Sequence, residues 1–436
     1  MNEFNQTLNP NAETAAADVQ GNPENETPAF EDARAIAYVN HFDSQAYTDM
    51  IAPLRTWAEI RLDQIGHNME EVRRLCGKTD IIGILKADAY GHGAVACGKA
   101  LQRAGVEFFA VACIDEAIEL RKAGISDPIL ILGYTPNSRF DELIEYDLIQ
   151  SALSKDFAHA LSDYGQAYGT KMRVHVKADT GMNRTGLLYE ANARHFNDFV
   201  EVFELPGLQI EGIFSHFPVS DDLAFDSREF TRSQMKLFDE LIFRLQEKGY
   251  DTGARHIQNS YGILNYMDAG YDYCRPGLLY MGITSDDEVP IASQPDFVPI
   301  LSLKTKVSMV KTIPDQATVS YGRHYTAHGP RQIASLAIGY ADGLSRACSN
   351  KGLMVSIRGH LVPIVGNICM DQCMVDITGF DDIEAGDTAV LIGQDGDNVL
   401  KVDEISRKAG TINNETLSIL TRRVNRIYFD EDGNLA

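Results

Sequence analysis

Residues 84–94 read ILKADAYGHGA, an apolar run that ends in a lysine, Lys86, with Tyr90 four residues on and a Gly-His-Gly just beyond. A strand that delivers an amine to its own end, ahead of a loop too small to cover it, puts that amine where water is scarce. Desolvation lowers the pKa of an ammonium and makes the amine a nucleophile, the property needed to condense with a carbonyl. Taken alone, Lys86 also fits a lysine that lays its stem along a strand edge and keeps its head in water. The Gly-His-Gly is no nucleotide loop, because it lacks both the P-loop spacing and its Lys-Ser/Thr ending.

The elements that must position this lysine are legible as a rhythm. From Thr56 onward short apolar runs alternate with helical patterns: WAEIRL then LDQIGHNMEEVRRLC, IIGILK then GAVACGKALQRAG, FFAVAC then IDEAIELRKAG, PILILGY then SRFDELIEYD. The series continues through LIQSAL, KMRVHVKAD, LQIEGIFSHF, ARHIQN and YCRPGLLYMG. Strands of four to eight residues alternating with longer helices indicate parallel βαβ units, and their number and short links favour a closed (β/α)8 barrel over residues 51–290. In such a barrel the carboxyl ends of the strands face the active site, so Lys86 points its amine into the mouth.

Near Ile291 the rhythm changes. ILSLKTKVSMVKTI, RQIASLAIGYA, GLMVSIRGHLVPIVG, CMVDITGF and DTAVLIGQDG are strand-like runs between Gly and Asp turns, followed by one helix at VDEISRKAGTINNETLSIL and a last strand at VNRIYF. A second, mainly β domain is therefore expected over residues 291–436. Residues 1–50 carry nine acids against the single base Arg34 and little periodicity, which predicts an acidic flexible tail, with ARAIAYVNHF able to form a short helix.

The whole chain of 436 residues has a formal charge of -23, which argues against the basic face that nucleic acid or an anionic membrane requires. No run approaches a membrane span, and the start lacks a signal peptide's basic and apolar segments, so the expected location is the cytoplasm. The seven cysteines are scattered through apolar runs without a CxxC pair, which reads as reduced core thiols and no metal site.

KADAYGHG, LGYTP, VKADTGMNRTG, EGIFSHF, RHIQNS, RPGLLYMG, VSYGRHY, AIGYADG, CMDQCMVD, TINNE and RVNRIY together resemble, in order, the motifs of the alanine racemases. These are pyridoxal 5'-phosphate enzymes with an N-terminal barrel and a C-terminal β domain, and the likeness runs from about Thr56 to Phe429. It implies that Lys86 attaches the cofactor. Racemisation removes the Cα proton from one face and returns one to the other, so two acid/base groups must flank a flat reaction centre. By resemblance the second is Tyr321, a phenol whose ordinary pKa near 10 needs positive charge nearby, supplied by a cationic chain of His216 and Arg275. Arg275 is also implied to face the pyridine nitrogen and keep it unprotonated.

The resemblance further assigns Tyr90, Asn259, Ser260 and the Gly277 and Leu278 amides to the cofactor and its phosphate. Arg184 and the backbone at Met370 correspond to substrate-carboxylate positions. Lys177 matches a lysine that is carbamylated in some members and orients that arginine, and Asp371 and Tyr340 line the entrance. Taken singly, His216 also fits a satisfied core histidine, Arg275 a surface ion pair, Pro276-Gly277 a simple turn, and Asp371 and Tyr340 ordinary turn and strand residues. The family's shared active sites imply a head-to-tail homodimer.

One position departs from the pattern. Where the family commonly has tyrosine, this chain has Asn414, which removes a ring, opens space and adds an amide able to bond a hydroxyl. The serine-favouring racemases of glycopeptide resistance carry asparagine at the matching place, so raised serine turnover is expected beside alanine as the main substrate. A serine racemase of that type is the alternative reading, and a pyridoxal-phosphate decarboxylase is a more distant one. Such decarboxylases put an acid at the pyridine nitrogen, where this chain has Arg275. A non-catalytic single-barrel carrier lacks the second domain and the Tyr321 segment.

Overall fold

The computed structural model describes residues 45–267 and 269–430. Most of the acidic tail and its short candidate helix lie outside those residues. Gln45–Ile51 is helical and buries Tyr47 against Trp57 and Phe429.

The barrel is built from Asp80–Ile81 with Gly83–Ile84, then Phe109–Val111, Ile129–Ile131, Ile149–Ala152, Met172–Asp179, Leu208–Phe214, Ala254–His256 and Tyr273–Cys274. Every pairing around this ring is parallel. Asp80–Ile81 pairs with the last strand and Gly83–Ile84 with the second, and these two segments are one strand interrupted at Ile82, so the sheet closes. Parallel strands are covered on both faces, which is why runs such as Ile129–Ile131 are apolar throughout and wholly buried. Helices Asp63–Cys76, Ala94–Arg103, Ile114–Lys122, Lys155–Tyr168 and Phe225–Glu247 are among those that form the outer layer. The (β/α)8 expectation is met.

WAEIRL corrects the expected order. Thr56–Arg61 is no barrel strand: it pairs antiparallel with Leu301–Ile313 and parallel with Asn425–Phe429, in the sheet of the second domain. The periodicity marks a buried strand, whereas partner choice depends on residues more than 200 positions away. Trp57 and Glu59 show the fit, since buried Glu59 accepts from the Trp57 indole at 3.0 Å and pairs with Lys304 at 2.8 Å.

The second domain is a nine-stranded sheet that folds back on itself, because Thr388–Asp395 also pairs with the long strand Leu301–Ile313. Leu301, Leu303, Thr305 and Val307 alternate inward along that strand, the period expected of a half-buried ribbon. The expected single helix over VDEISRKAGTINNETLSIL is two, Val402–Ala409 and Asn413–Ser418. Gly410 breaks it by ending the first helix at φ +80°, where a residue without a side chain is unstrained.

Candidate active site

Lys86 stands where the first barrel strand ends, but the chain beyond it is not an ordinary loop. Ala87, Asp88, Ala89 and Tyr90 all have φ near +50°, a left-handed helical turn made without glycine. Each such residue costs about 1–2 kcal/mol, so the turn persists only because its surroundings over-determine it. Glu116 accepts from the Ala87 amide at 2.6 Å, and the Asp88 carboxylate accepts from the Ala94 amide at 2.7 Å. From the second domain, Arg426 donates to the Gly91 carbonyl at 3.0 Å. Burial lowers the pKa of Lys86, Arg184 and Arg275 lower it further, and Glu116 opposes them.

Behind Lys86 lies a cup. The Gly277 amide donates to the Ser260 hydroxyl at 3.0 Å, and a Cβ on Gly277 would come within 2.8 Å of the Tyr90 hydroxyl. Burial holds the Tyr90 phenol protonated, as a donor. Leu278 opens the short turn that follows. Asn259 is placed beside the cup but its side chain is already engaged: Oδ1 accepts from Ser220 and from the Gly262 amide, both at 2.8 Å. Its assigned contact to a cofactor therefore has to compete with a helix cap.

Arg275 is buried and has no carboxylate partner among the described residues. Its Nη1 donates to Nδ1 of His256 at 2.5 Å, and its Nη2 donates to the Ser215 and Ile257 carbonyls at 2.8 and 2.9 Å and to Nδ1 of His216 at 3.2 Å. Nε carries no hydrogen bond to a described residue. Burial brings the guanidinium down to about 9, still charged at neutral pH.

Because both imidazoles accept at Nδ1, each is the neutral tautomer with its proton on Nε2. His256 passes the chain on, its Nε2 lying 2.9 Å from Nδ1 of His175. Phe214 stacks on the His256 ring at 4.9 Å, with the Arg275 guanidinium 5.5 Å from its centre. The expected cationic chain of His216 and Arg275 is thus corrected: burial first, then Arg275, Arg184, Lys177 and Lys86, hold His216 neutral, and the charge is Arg275's.

Above the mouth, Arg184 is exposed and forms no ion pair with a described residue. Lys177, brought down to about 8 chiefly by burial and then by Arg184, donates to Thr185 at 2.6 Å and so ties down the loop carrying Arg184. Asn414 sits on the helix Asn413–Ser418, whose Leu417 carbonyl abuts Gly91. Its side-chain Oδ1 is buried with no hydrogen-bond partner among the described residues.

Tyr321, Tyr340, Met370 and Asp371 do not join this cluster. Tyr321 lies at the tip of the hairpin formed by Thr318–Val319 and Tyr325–Thr326, 75% exposed, its carbonyl accepting from Asn367 at 2.7 Å. Asn367 leads into the segment that holds Met370, whose carbonyl accepts from the Ala341 amide at 2.9 Å, next to Tyr340. Asp371 is paired with Arg423 at 2.6 Å. The sequence-derived residues thus fall into a barrel half and an exposed second-domain half.

His256, His175, Phe214 and Glu116 were not foreseen. A signal existed for His175, a polar residue inside the apolar strand MRVHVKAD, but nothing in RHIQNS separated His256 from an ordinary strand histidine.

Known proteins give this arrangement its family. The family model described as "Alanine racemase, N-terminal domain" matches residues 60–285, and "Alanine racemase, C-terminal domain" matches residues 300–428. Alanine racemase 1 of Clostridium acetobutylicum is 40% identical over 373 residues, 85% of this chain and 95% of that protein. Alanine racemase 2 of Caldanaerobacter subterraneus is 40% identical over 382 residues, 87% and 96% of the two chains. Among solved structures, alanine racemase of Clostridium difficile 630 in complex with cycloserine is similar with a TM-score of 0.79 and 34% identity, covering 88% of this chain and 97% of that one. The enzyme from Bacillus anthracis with bound L-Ala-P is similar with a TM-score of 0.80 and 30% identity, over 88% and 97%. Two consecutive domain matches, relatives aligned along nearly their whole length and a shared fold place the chain in the alanine racemase family, as an amino-acid racemase.

Proposed function

We propose that this enzyme interconverts L- and D-alanine with pyridoxal 5'-phosphate, using Lys86 and Tyr321 of the partner subunit as opposed proton carriers in a head-to-tail homodimer. The observation that carries the reading is Arg275, a buried guanidinium bonded only to neutral acceptors with Nε left over, beside a strand-end lysine and a hydroxyl cup. A buried charge of that kind calls for a further acceptor. A pyridine nitrogen without a proton supplies one.

The residues fit the cofactor. Gly277, where a side chain would collide with Tyr90, leaves room for a phosphate, and Tyr90, Ser260 and the Gly277 and Leu278 amides would hold it. When bound, the cofactor supplies a conjugated system that acidifies the Cα–H of an attached amino acid. Lys86 would anchor it covalently and, once released, carry the Cα proton on one face as an amine whose depressed pKa favours its neutral form. Arg184 suits the substrate carboxylate, because a guanidinium can offer two parallel hydrogen bonds. His216, held neutral, can pass the positive field of Arg275 through its Nε2–H to a tyrosinate. Arg275, by offering that nitrogen a hydrogen bond and no proton, would restrain delocalisation and favour return of the proton over side reactions.

The exposure of Tyr321 together with Tyr340 and Met370 on one domain supports their use in a second subunit's site. Asn414 supports a secondary activity on serine. The unpartnered Oδ1 would accept from a substrate hydroxyl brought against it, with alanine remaining the main substrate.

The test is a chiral assay of L-alanine incubated with holoenzyme, with borohydride trapping to locate the cofactor peptide. D-alanine should form and the label should map to Lys86. Lys86→Ala should lower the rate by about 10³-fold or more. A label on another lysine, or an active Lys86→Ala, would overturn the assignment.

A further inference from the structure

The barrel closes along a thin seam. Its first strand and its last pair over only two positions, Asp80 with Tyr273 and Ile81 with Cys274, and the last strand holds its other neighbour through the single pair His256 and Tyr273. Three further bonds brace the closure: the Asp80 amide to the Asp272 carbonyl and the Ile82 amide to the Cys274 carbonyl, both 2.9 Å, and the Thr79 hydroxyl to the Tyr271 carbonyl at 3.1 Å.

Across this seam two thiols meet. Cys76 is the last residue of helix Asp63–Cys76, Cys274 ends the last barrel strand, and their sulfurs are 3.1 Å apart although 198 positions separate them in sequence. A disulfide bond is ~2.05 Å long, so about an ångström of approach converts this contact into a covalent one. Both residues are free cysteines, and no other pair of the seven spans the seam. Cys274 faces the helix layer, where it meets Cys76. The next residue, Arg275, turns into the barrel mouth, as alternation along an extended chain requires. A bond between the sulfurs therefore lies on the opposite side of the strand from the candidate site.

We infer that Cys76 and Cys274 are a site of reversible oxidative modification, a latent disulfide clasp that locks the first element of the barrel to its last when a peroxide is present. Cys76, 7% exposed at the helix end, is the less buried of the two residues and so the one assigned first contact with a small oxidant, whereas Cys274 is wholly buried. The Cys76 sulfur attacks one peroxide oxygen, the O–O bond breaks, and sulfenic acid and water result. The Cys274 sulfur then attacks the Cys76 sulfur, the S–O bond breaks, and the hydroxyl leaves with the Cys274 proton as a second water. Two thiols are oxidised by two electrons in total and one peroxide is reduced to two waters. Burial keeps Cys274 a thiol, which slows closure.

The clasp closes a loop containing almost the entire barrel, and long loops gain most from cross-linking because the unfolded chain loses most freedom. The test uses the full-chain holoenzyme, reduced and then treated with hydrogen peroxide. Remaining thiols are blocked after unfolding, peptides are mapped, and the thermal midpoint is read in parallel. The expected result is a Cys76–Cys274 cross-linked peptide and a midpoint several degrees higher, both abolished by dithiothreitol and both absent in Cys76→Ser. If Cys76→Ser misfolds, Cys274→Ala serves as the second control. Recovery of both residues as free thiols or as sulfinic or sulfonic acids would overturn the inference, and so would a cross-link that lowers the midpoint.

Discussion

Arg275 shows how much chemistry one residue can fix. A buried guanidinium bonded to neutral imidazoles and carbonyls, with no carboxylate partner among the described residues, keeps its positive field for whatever lies beside it. In the sequence, Arg275 was identifiable only through the run CRPGLLYMG, and its imidazole partners His216 and His256 come from other strands. Such contacts are made by closing the barrel, so they leave no local trace in composition or spacing. Asn414 is the opposite case, a departure visible in the sequence whose consequence depends on the unpartnered oxygen seen in the fold. Replacing it by tyrosine restores a ring and removes the amide. Asn414→Tyr should lower kcat/KM for L-serine relative to L-alanine by about tenfold, the scale of one pocket contact. Steady-state kinetics on both substrates checks this, and an unchanged ratio would dissociate Asn414 from serine turnover.

Among the elements, the left-handed turn after Lys86 is the least legible and the most consequential. KADAYGHG contains no glycine or asparagine from Ala87 to Tyr90, so local preference predicts nothing of the kind. What enforces it comes from elsewhere in the chain: Glu116 from the helix Ile114–Lys122, and Arg426 and Leu417 from the second domain. The alternating runs, by contrast, reveal most barrel strands because a buried parallel sheet constrains every residue in them. Gly91 is the point of contact between turn and second domain. A Cβ there would lie 2.3 Å from the Leu417 carbonyl, at a backbone φ of +80°. Gly91→Ala should therefore destabilise the fold by about 1–3 kcal/mol, the cost of forcing extra atoms into a packed contact. It should also weaken cofactor retention. A urea midpoint and the cofactor content after dialysis measure both, and wild-type values would show that the second domain does not prop the turn.

At the scale of the whole molecule, the barrel is inserted between two strands of the second domain's sheet. Thr56–Arg61 joins the β domain before the chain enters the barrel, and Asn425–Phe429 returns beside it, so both flanking strands belong to the β domain. The sequence shows two rhythms but not this crossing, which is set by pairing between distant segments. The candidate residues are divided in the same way, with Lys86, Arg275 and the Ser260–Gly277 cup on the barrel and Tyr321, Tyr340 and Met370 on an exposed face of the β domain. The proposed head-to-tail dimer would bring one half of each to the other, because a two-fold axis repeats every contact. The most direct test mixes two inactive chains, Lys86→Ala and Tyr321→Phe, under conditions of verified subunit exchange. Each mixed dimer then holds one site with both proton carriers intact, so racemisation of L-alanine should return to roughly a quarter of the wild-type rate at equal total protein. No recovery despite exchange would contradict opposed carriers shared between subunits.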